Sequence, residues 1–211
     1  KHSILVKDAR ELFTAIPEAF AIALSGRPGP VLIDVPRDVQ TQKISFASWP
    51  TEKSMKSLLK PYTELRFATP KLEYDATVKR MASALLTAER PVLYLGGGCN
   101  DERAAKAISS FLDKYTSVAV TSLMGIGSVA RGNEHFCGMV GMHGSLAANR
   151  AMHDADVVLA LGVRFDDRAT GLIKEFCPNA KVLHIDVDAA EINKIIGADC
   201  SLVDTVQKAL P

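Results

Sequence analysis

An apolar run of five residues, Val157–Leu161, stops at Gly162 and is followed at once by charge. A run this short, partly β-branched and ended by glycine, is typical of a strand buried on both faces of a sheet. The charged residues that follow are Arg164, Asp166, Asp167 and Arg168. In open parallel sheets, ligands bind just beyond the carboxyl ends of the strands. The segment therefore predicts a charged ligand-binding edge or, as the alternative, a strand followed by a solvated loop.

Short apolar runs alternate with amphipathic segments from residue 71 to residue 211. The predicted strands are residues 91–95, 117–121, 136–140, 157–161, 182–185 and 200–203. The predicted helices are residues 74–86, 104–115, 146–153, 169–176 and 189–196. Strands that alternate with helices form βαβ units and hence a parallel sheet. We therefore predict an α/β domain at residues 71–211, a doubly wound parallel sheet with helices on both faces.

The first 70 residues follow a different pattern. Residues 1–40 predict a strand at 3–6, a helix at 17–24 with Pro17 in its first turn, and a strand at 31–35. One such αβ unit is too small to bury a core alone, so we expect it to be the end of a neighbouring domain. Residues 41–70 are polar and proline-punctuated without a persistent period, which predicts an interdomain linker.

The composition limits what this chain can bind. It has 211 residues, a net charge of +1 and no basic run interleaved with aromatics, so we expect no nucleic-acid partner. No apolar stretch reaches the roughly 18–20 residues of a membrane span. The four cysteines form no C-x-x-C pair, which favours free thiols in a reducing, cytoplasmic compartment. Because the sequence lacks an initiator Met and opens within a pattern, we expect a fragment of a longer protein.

Three glycines, Gly96–Gly98, follow the first predicted strand of the α/β domain. A dinucleotide-binding G-x-G-x-x-G loop would need a further glycine where this chain has Asp101. Asp101 and Glu102 at the start of the next helix would also repel a pyrophosphate. A tight turn is the simpler interpretation, although the glycines leave room for a ligand to approach the backbone.

The segment Gly141–Ser145 is a better candidate for binding phosphate. Ser145 fits the N-cap of the next helix, and no acidic residue follows within its first turn. The amides near Gly144 could therefore face an anion. His143 could donate a hydrogen bond to such a ligand, or it could be structural.

Two further charged residues lie at the ends of predicted elements. Asp186 closes a strand and could accept hydrogen bonds from ribose hydroxyls or act as a cap, whereas Asp188 fits a helix N-cap. Arg27 is held between glycines and prolines, which suits recognition of a phosphate or carboxylate, or a position at a helix C-terminus. The sequence has no nucleophile elbow, Walker loop or H-E-x-x-H motif. These residues predict a nucleotide-cofactor-binding domain with part of a neighbour attached.

Several motifs of this chain resemble a known enzyme family. Residues 25–39, Ser-Gly-Arg-Pro-Gly-Pro-Val-Leu-Ile-Asp-Val-Pro-Arg-Asp-Val, are similar to the end of the pyrimidine-binding domain of thiamine-diphosphate enzymes. The catalytic subunit of the acetohydroxyacid synthase (acetolactate synthase) family is similar at four segments. These are Gly-Met-Val-Gly-Met-His-Gly at 138–144, Gly-Val-Arg-Phe-Asp-Asp-Arg at 162–168, Cys-Pro-Asn-Ala at 177–180 and His-Ile-Asp at 184–186. The resemblance covers residues 1–40 and 90–211.

The resemblance implies that residues 71–211 are a central domain that binds FAD in an extended form. It places the flavin near Met142, Asp166 and Arg168 and the adenosine near Asp186. The cofactor-binding residues that it implies are Arg27, Gly97, Gly98, Thr121, Ser122, Leu123, Met142, His143, Gly144, Gly162, Arg164, Asp166, Arg168, Asp186, Val187 and Asp204. Where the family has Val-x-Gly-Asp, this chain has Leu202-Val203-Asp204 without the glycine, so the last contact departs from the family pattern.

The family reaction joins two 2-oxoacids, pyruvate with pyruvate or 2-oxobutyrate, with decarboxylation on thiamine diphosphate, in branched-chain amino-acid biosynthesis. Its FAD performs no net redox chemistry. Arg37, Met142 and Arg168 would border the substrate channel, and Arg37 replaces the lysine common in the family. The catalytic glutamate would lie upstream of residue 1, and the Gly-Asp-Gly…Asn motif for Mg²⁺ and diphosphate downstream of residue 211. We therefore expect no catalytic residue or metal ligand in this chain, and no turnover by it alone.

The resemblance also implies a homo-oligomer and allows a regulatory subunit. Two alternatives to this family remain at this point. One is another flavin- or ADP-binding thiamine-diphosphate enzyme, such as a pyruvate oxidase or glyoxylate carboligase. The other is a non-catalytic nucleotide-binding module whose loops are structural.

Overall fold

The computed structural model describes residues 1–45, 48, 51–63 and 71–210. The chain divides into two compact units, residues 1–66 and residues 67–211, and each is described by itself. The predicted linker at residues 41–70 lies partly outside the described residues, and its boundaries stay a prediction.

The first unit contains a two-stranded parallel sheet. Strand β1 (His2–Leu5) pairs with β2 (Val31–Asp34), and helix α1 (Leu12–Leu24) connects them, as predicted. Helix α2 (Arg37–Gln40) follows, and helix α3 (Glu52–Thr63) packs against α1. Helix α3 was not predicted, because its sequence shows no sustained apolar face among its many polar residues. Four small or β-branched residues form the buried core of this unit: Val6, Ala9, Ala15 and Val39.

The start of α1 differs from the prediction. The helix begins at Leu12, after a short 3₁₀ turn at Ala9–Glu11 whose N-cap is Asp8. Pro17 therefore lies inside the helix rather than in its first turn. A proline there lacks the N–H that would continue the helical hydrogen-bond ladder. The flanking turns nevertheless remain helical because the alanine face of α1 is buried, with Ala15 at 4% and Ala19 at 5% exposure.

The second unit is an open parallel sheet of six strands. The strands are β3 (Pro91–Leu95), β4 (Val118–Thr121), β5 (Phe136–Met139), β6 (Val157–Leu161), β7 (Lys181–Asp186) and β8 (Cys200–Val203). The helices are α4 (Lys71–Leu86), α5 (Glu102–Lys114), α6 (Leu146–Asp154), α7 (Asp167–Thr170), α8 (Ile173–Phe176) and α9 (Val206–Ala209). The strand order is β5-β4-β3-β6-β7-β8, and all neighbours are parallel, which confirms the predicted doubly wound α/β fold.

Both faces of this sheet are covered, because successive side chains of a strand point to opposite faces. One buried cluster joins Leu93, Leu95, Leu159 and Leu161 to apolar residues of α4, α5 and α9. The other cluster joins alternate strand residues to α6 and α8, and its strand members are Val92, Tyr94, Val120, Val158, Ala160 and Val182. The central strands β3 and β6 are buried at every position, as their uninterrupted apolar sequences predict.

Asp156 joins the starts of β3, β6 and β7 by hydrogen bonds. Its carboxylate accepts hydrogen bonds from the N–H groups of Glu89 (2.7 Å) and Arg90 (3.0 Å), just before β3. Its main-chain oxygen accepts a hydrogen bond from the N–H of Lys181 (2.9 Å), the first residue of β7. The amino edge of the sheet is thus fixed by one residue at the start of β6.

Two predicted helices are different in the structure. The helix predicted at residues 169–176 is two short helices, α7 and α8, because Gly171 between them has a φ of +56°. The helix predicted at residues 189–196 is only a 3₁₀ turn at Ala189–Glu191. Asn193 has a left-handed φ of +60° and its side chain accepts a hydrogen bond from the N–H of Ala198 (2.8 Å), so the chain turns away instead of continuing a helix.

Candidate functional site

The strand order reverses between β3 and β6, because the chain winds outward from β3 in one direction and from β6 in the other. The loops after these two strands therefore leave the sheet side by side, at the position where doubly wound sheets bind dinucleotides. Gly98 N–H donates a hydrogen bond to the carbonyl oxygen of Gly162 (3.2 Å). A Cβ on Gly162 would lie 2.6 Å from the Cα of Gly98, so neither loop has room for a side chain at this contact.

The loop after β3 is a short 3₁₀ turn at Gly97–Cys99, as the tight-turn interpretation predicts. A Cβ on Gly96 would overlap the carbonyl oxygen of Gly162. Asp101 is the N-cap of α5 and accepts hydrogen bonds from the N–H groups of Arg103 (3.0 Å) and Ala104 (3.3 Å). A hydrogen bond from Gln207 lowers the pKa of Asp101. The acid that would repel a pyrophosphate is therefore engaged in capping its own helix.

The loop after β6 forms an arch, residues Gly162–Asp166, whose backbone is unusual at two positions. Gly162 has a φ of +57° and Phe165 has a φ of +51°, a left-handed conformation that costs a non-glycine residue about 1–2 kcal/mol. Val163 and Phe165 are both 2% exposed, whereas Arg164 between them is exposed. The arch thus buries its apolar residues and presents one arginine.

Aromatic rings anchor the arch from below. The Phe165 ring makes edge-on contacts with Tyr94 (5.7 Å between centroids), Phe176 (6.3 Å) and His184 (5.2 Å). The Nε2 atom of His184 lies 3.0 Å from the carbonyl oxygen of Val163. Because a carbonyl only accepts, Nε2 carries the proton in this bond. Burial lowers the pKa of His184, which keeps the ring neutral near pH 7.

Arg168 and Met142 are brought together although they lie 26 positions apart in the sequence. Met142 N–H donates to the carbonyl oxygen of Arg168 (3.1 Å), and Gly141 leaves no space for a Cβ against the same carbonyl. Asn149 of α6 fixes the Gly141 backbone, accepting from its N–H (2.8 Å) and donating to its carbonyl (3.0 Å). The Met142 side chain is 70% exposed and Arg168 is also exposed, so an apolar and a cationic residue both face solvent where their backbones meet.

Asp166 ends the arch and begins α7. Its carboxylate accepts a hydrogen bond from the N–H of Ala169 (3.2 Å), so it caps that helix. Among the described residues, the guanidinium groups of Arg164 and Arg168 have no ion-pair or hydrogen-bond partner within the chain. Arg164 and Arg168 are thus exposed arginines on either side of Asp166 in the sequence, while the Asp166 carboxylate caps α7.

The predicted phosphate candidate, the segment Gly141–Ser145, leads into α6 as expected. Ser145 is the N-cap, and its hydroxyl accepts from the N–H of Ala148 (3.0 Å) and donates to the carbonyl oxygen of Cys137 (2.7 Å). His143 is exposed, and Gly144 packs so closely on Val140 that a Cβ there would lie 2.7 Å from its carbonyl carbon. No acidic residue lies in the first turn of α6.

Three candidates follow β4. Thr121 is fully buried, and its hydroxyl has no hydrogen-bond partner among the described residues. Ser122 is 9% exposed and its N–H donates to the carbonyl oxygen of Leu95 (2.9 Å). Leu123 is 69% exposed, next to Met124 at 63%. A buried polar atom and exposed apolar side chains thus occur together at this strand end.

At the other end of this sheet edge, β7 ends in Asp186 and β8 is followed by Asp204. Asp186 is 6% exposed and accepts a hydrogen bond from the N–H of Asp188 (2.8 Å), while its carbonyl oxygen accepts from Asp204 N–H (3.1 Å). Val187 is partly exposed. Asp204 accepts from the N–H of Thr205 (2.7 Å), and burial together with Asp204 raises the pKa of Tyr74 to about 12. The Asp204 carboxylate is therefore engaged within its own chain, and its role in cofactor binding stays a prediction.

Arg27 and Arg37 belong to the first unit. Arg27 is exposed after the end of α1, and its carbonyl oxygen accepts a hydrogen bond from Lys1 Nζ (3.0 Å). Arg37 is exposed and is the first residue of α2, with Pro36 at the N-cap. Their roles in cofactor and substrate binding stay predictions.

The described cysteines are all free, as expected. Burial raises the pKa of Cys99 to about 12, and its thiol donates to the carbonyl oxygen of Leu161 (3.2 Å). Burial also raises the pKa of Cys177 to about 11. Both thiols are therefore protonated at neutral pH and unreactive.

The sequence did not point to His184 or Asn149 as residues that shape the site. His184 is the one polar interruption of the apolar segment Val182–Ile185, which is a weak signal for a buried polar contact. Asn149 gives no sequence signal, because its role depends on α6 folding back over Gly141. Within the described part of the chain, no group of three His, Cys, Asp or Glu side chains could hold a metal ion, and no helix could cross a membrane.

Comparison with known proteins decides the family. Residues 78–211 match the family described as "Thiamine pyrophosphate enzyme, central domain". The chain belongs to this family. The match begins in α4 and takes in every strand of the six-stranded sheet, so it lies within the second unit.

Individual relatives extend the similarity to the whole chain. The chain is 37% identical to the acetolactate synthase large subunit of Haemophilus influenzae and 38% identical to the acetolactate synthase isozyme 3 large subunit of Escherichia coli. It is 37% identical to acetolactate synthase 2, chloroplastic, of Nicotiana tabacum. These similarities cover 100% of this chain but 35%, 35% and 30% of the relatives, so the chain spans about a third of their length. The resemblance to acetolactate synthases is confirmed.

Proposed function

We propose that this chain supplies the FAD-binding central domain, and the end of the preceding pyrimidine-binding domain, of an acetolactate synthase catalytic subunit. That enzyme would condense two 2-oxoacids with decarboxylation, using thiamine diphosphate and Mg²⁺. The observation that carries the proposal is the contact of Gly98 with Gly162 at the reversal of strand order, with Arg164 exposed beside it. The identity of 37–38% to acetolactate synthases over the whole chain supports the same function.

The chemistry of the carboxyl edge fits FAD. The exposed Arg164 suits a pyrophosphate, since a guanidinium group binds phosphate oxygens through paired hydrogen bonds, whereas the exposed Arg168 lies beside Met142 at the expected flavin end. Asp186 suits a ribose hydroxyl, because a carboxylate at the end of a strand accepts hydrogen bonds. The exposed apolar side chains of Leu123 and Met142 suit the flat face of a flavin.

Each residue would act by binding or orienting, because FAD performs no net redox chemistry in this family. The glycine contact lets the dinucleotide approach the backbone, and Thr121 offers a buried hydroxyl. Met142 and Arg168, joined through their backbones, would border the substrate channel. We further propose a homo-oligomer, association with a regulatory subunit and a cytoplasmic location. Turnover would require residues beyond these 211, since the sequence contains no Gly-Asp-Gly motif.

The test is FAD affinity, measured by quenching of flavin fluorescence on the purified protein. Arg164→Ala should weaken binding about ten-fold, because it removes charge-assisted hydrogen bonds to phosphate. Asp186→Asn should also weaken it. Arg103→Ala is the matched control, since Arg103 is an equally exposed arginine after the neighbouring strand β3 and should leave affinity unchanged. Unchanged affinity in both Arg164→Ala and Asp186→Asn would refute the assignment.

A further inference from the structure

We propose that His184 is a positioning residue that holds Arg164 in its binding orientation by fixing the arch Gly162–Asp166 through Val163 and Phe165. This inference rests on the proposed function, because the ligand of Arg164 is taken to be FAD. His184 itself is fully buried and touches no ligand-facing surface. It would act only through the backbone of the arch.

The first argument is the placement of the ring. His184 lies on β7 directly opposite Ala160 of β6, two residues before the arch begins. Its Nε2–H donates to the carbonyl oxygen of Val163 (3.0 Å), and its ring edge packs on Phe165 at 5.2 Å. A single side chain therefore holds both residues that flank Arg164.

The second argument is the strain of the arch. Phe165 adopts a left-handed φ of +51°, which a large side chain occupies only when its surroundings enforce it. The rings of Tyr94 and Phe176 hold Phe165 from the side of the core, and His184 supplies the polar contact. Without that contact the peptide between Val163 and Arg164 can rotate, and the guanidinium loses its fixed direction.

The third argument is the cost of placing a histidine there. Its Nδ1 is buried and has no hydrogen-bond partner among the described residues. A buried acceptor left unpaired costs about 1–3 kcal/mol, which an apolar residue of similar size would avoid. What histidine provides in return is the Nε2–H donor to Val163. The arrangement is thus explained by the backbone contact rather than by packing.

The decisive experiment uses limited trypsin digestion of the cofactor-free protein. His184→Leu should accelerate cleavage after Arg164 about ten-fold relative to cleavage after Arg103, within the range expected when a buried carbonyl loses its hydrogen bond. His184→Gln, whose amide can still donate to Val163, should return the ratio to within about two-fold. Met152→Ala changes a fully buried residue of the apolar cluster that contains Val163 and Phe165, and it should leave the ratio unchanged. An unchanged ratio in His184→Leu, or an equal rise in Met152→Ala, would overturn the proposal.

A second measurement tests the link to the cofactor. His184→Leu should weaken FAD binding about ten-fold in the wild-type background but less than about two-fold when Arg164→Ala is already present, because the two residues act in series. Fully additive losses would overturn the inference. If the wild-type protein does not bind FAD, the proposed function fails, and the digestion result still decides the role of His184. If His184→Leu does not fold, the ¹⁵N shifts of wild-type His184 decide: protonated Nε2 is expected, and protonated Nδ1 would refute the contact.

Discussion

The loops after β3 and β6 meet at the same point of the sheet but are built differently. The loop after β3 is three glycines followed by a capping acid, Asp101, and its role is to let the two backbones approach. The loop after β6 buries two apolar side chains and exposes Arg164. Glycines after a strand are therefore not a phosphate-binding loop in themselves. At this sheet edge the glycine loop provides space, and the neighbouring loop provides the charge.

The largest effect should come from filling that space. Gly96→Ala places a Cβ on the carbonyl oxygen of Gly162, and because both partners are backbone the clash can be relieved only by moving a strand end. We expect a loss of about 3 kcal/mol in the free energy of unfolding, measured by urea denaturation. Gly132→Ala, with open space around its Cβ, is the control and should change stability by less than about 0.5 kcal/mol. Similar free energies of unfolding for the two variants would show that the close approach of Gly96 to Gly162 is not needed for stability.

A smaller effect is expected when the N-cap of each loop is removed, and FAD affinity should then distinguish the two loops. Asp166 and Asp101 are both helix N-caps, one on each loop. Asp166→Ala should cost about 1 kcal/mol of stability and also weaken FAD binding, because the arch ends at this residue. Asp101→Ala should reduce thermal stability through loss of its cap but leave FAD affinity unchanged. If Asp101→Ala weakens FAD binding as much as Asp166→Ala does, the functional distinction between the loops is wrong.

The smallest effect is a pH dependence of the free energy of unfolding. It should come from His184, which supports the loop after β6 but, among the described residues, has no counterpart beneath the loop after β3. Burial lowers the pKa of His184, so the unfolded chain binds its proton first as pH falls below about 6.5. Stability should therefore decrease from pH 6.5 towards pH 5, by at most about 1.4 kcal/mol per pH unit, and level off below the folded-state pKa. Asp101, Asp154 and Asp156, whose pKa values are lowered, lose their contributions only at more acidic pH.

Urea titrations at each pH measure this slope, with His184→Gln as the reference. The free energy of unfolding of His184→Gln should change less between pH 5 and pH 6.5 than that of the wild type, since the variant lacks the titrating group. Parallel curves for the two proteins would place the pH dependence elsewhere in the chain.

Most of the fold follows from local sequence. Buried strands such as β3 and β6 are continuous apolar runs, and amphipathic helices such as α5 carry a clear apolar face, so the parallel α/β sheet could be predicted. The two helices that failed depend on single residues in left-handed conformations, Gly171 and Asn193. The sequence allows such conformations but does not require them.

The positions of the candidate residues at strand ends could be predicted from the sequence, but their contacts could not. Arg164 and Asp186 follow apolar runs, and a parallel sheet places all such ends at one edge. The contacts of Met142 with Arg168 and of Phe165 with His184 could not be predicted. The partners are far apart in the sequence and meet only through tertiary packing. Asp204 follows β8 in the same way, and its carboxylate contacts Thr205 and Lys208, so its proposed cofactor contact stays a prediction.

The hydrogen bonds of Asp156 have a consequence for how the two edges of the sheet depend on each other. Asp156 joins the beginnings of β3, β6 and β7 by hydrogen bonds at the amino edge of the sheet, opposite the carboxyl edge that carries the candidate residues of this unit. None of these hydrogen bonds involves a candidate cofactor-binding residue, so the register of β3, β6 and β7 is fixed without contacts to a cofactor. Substitutions in the loops at the carboxyl edge would leave these hydrogen bonds intact.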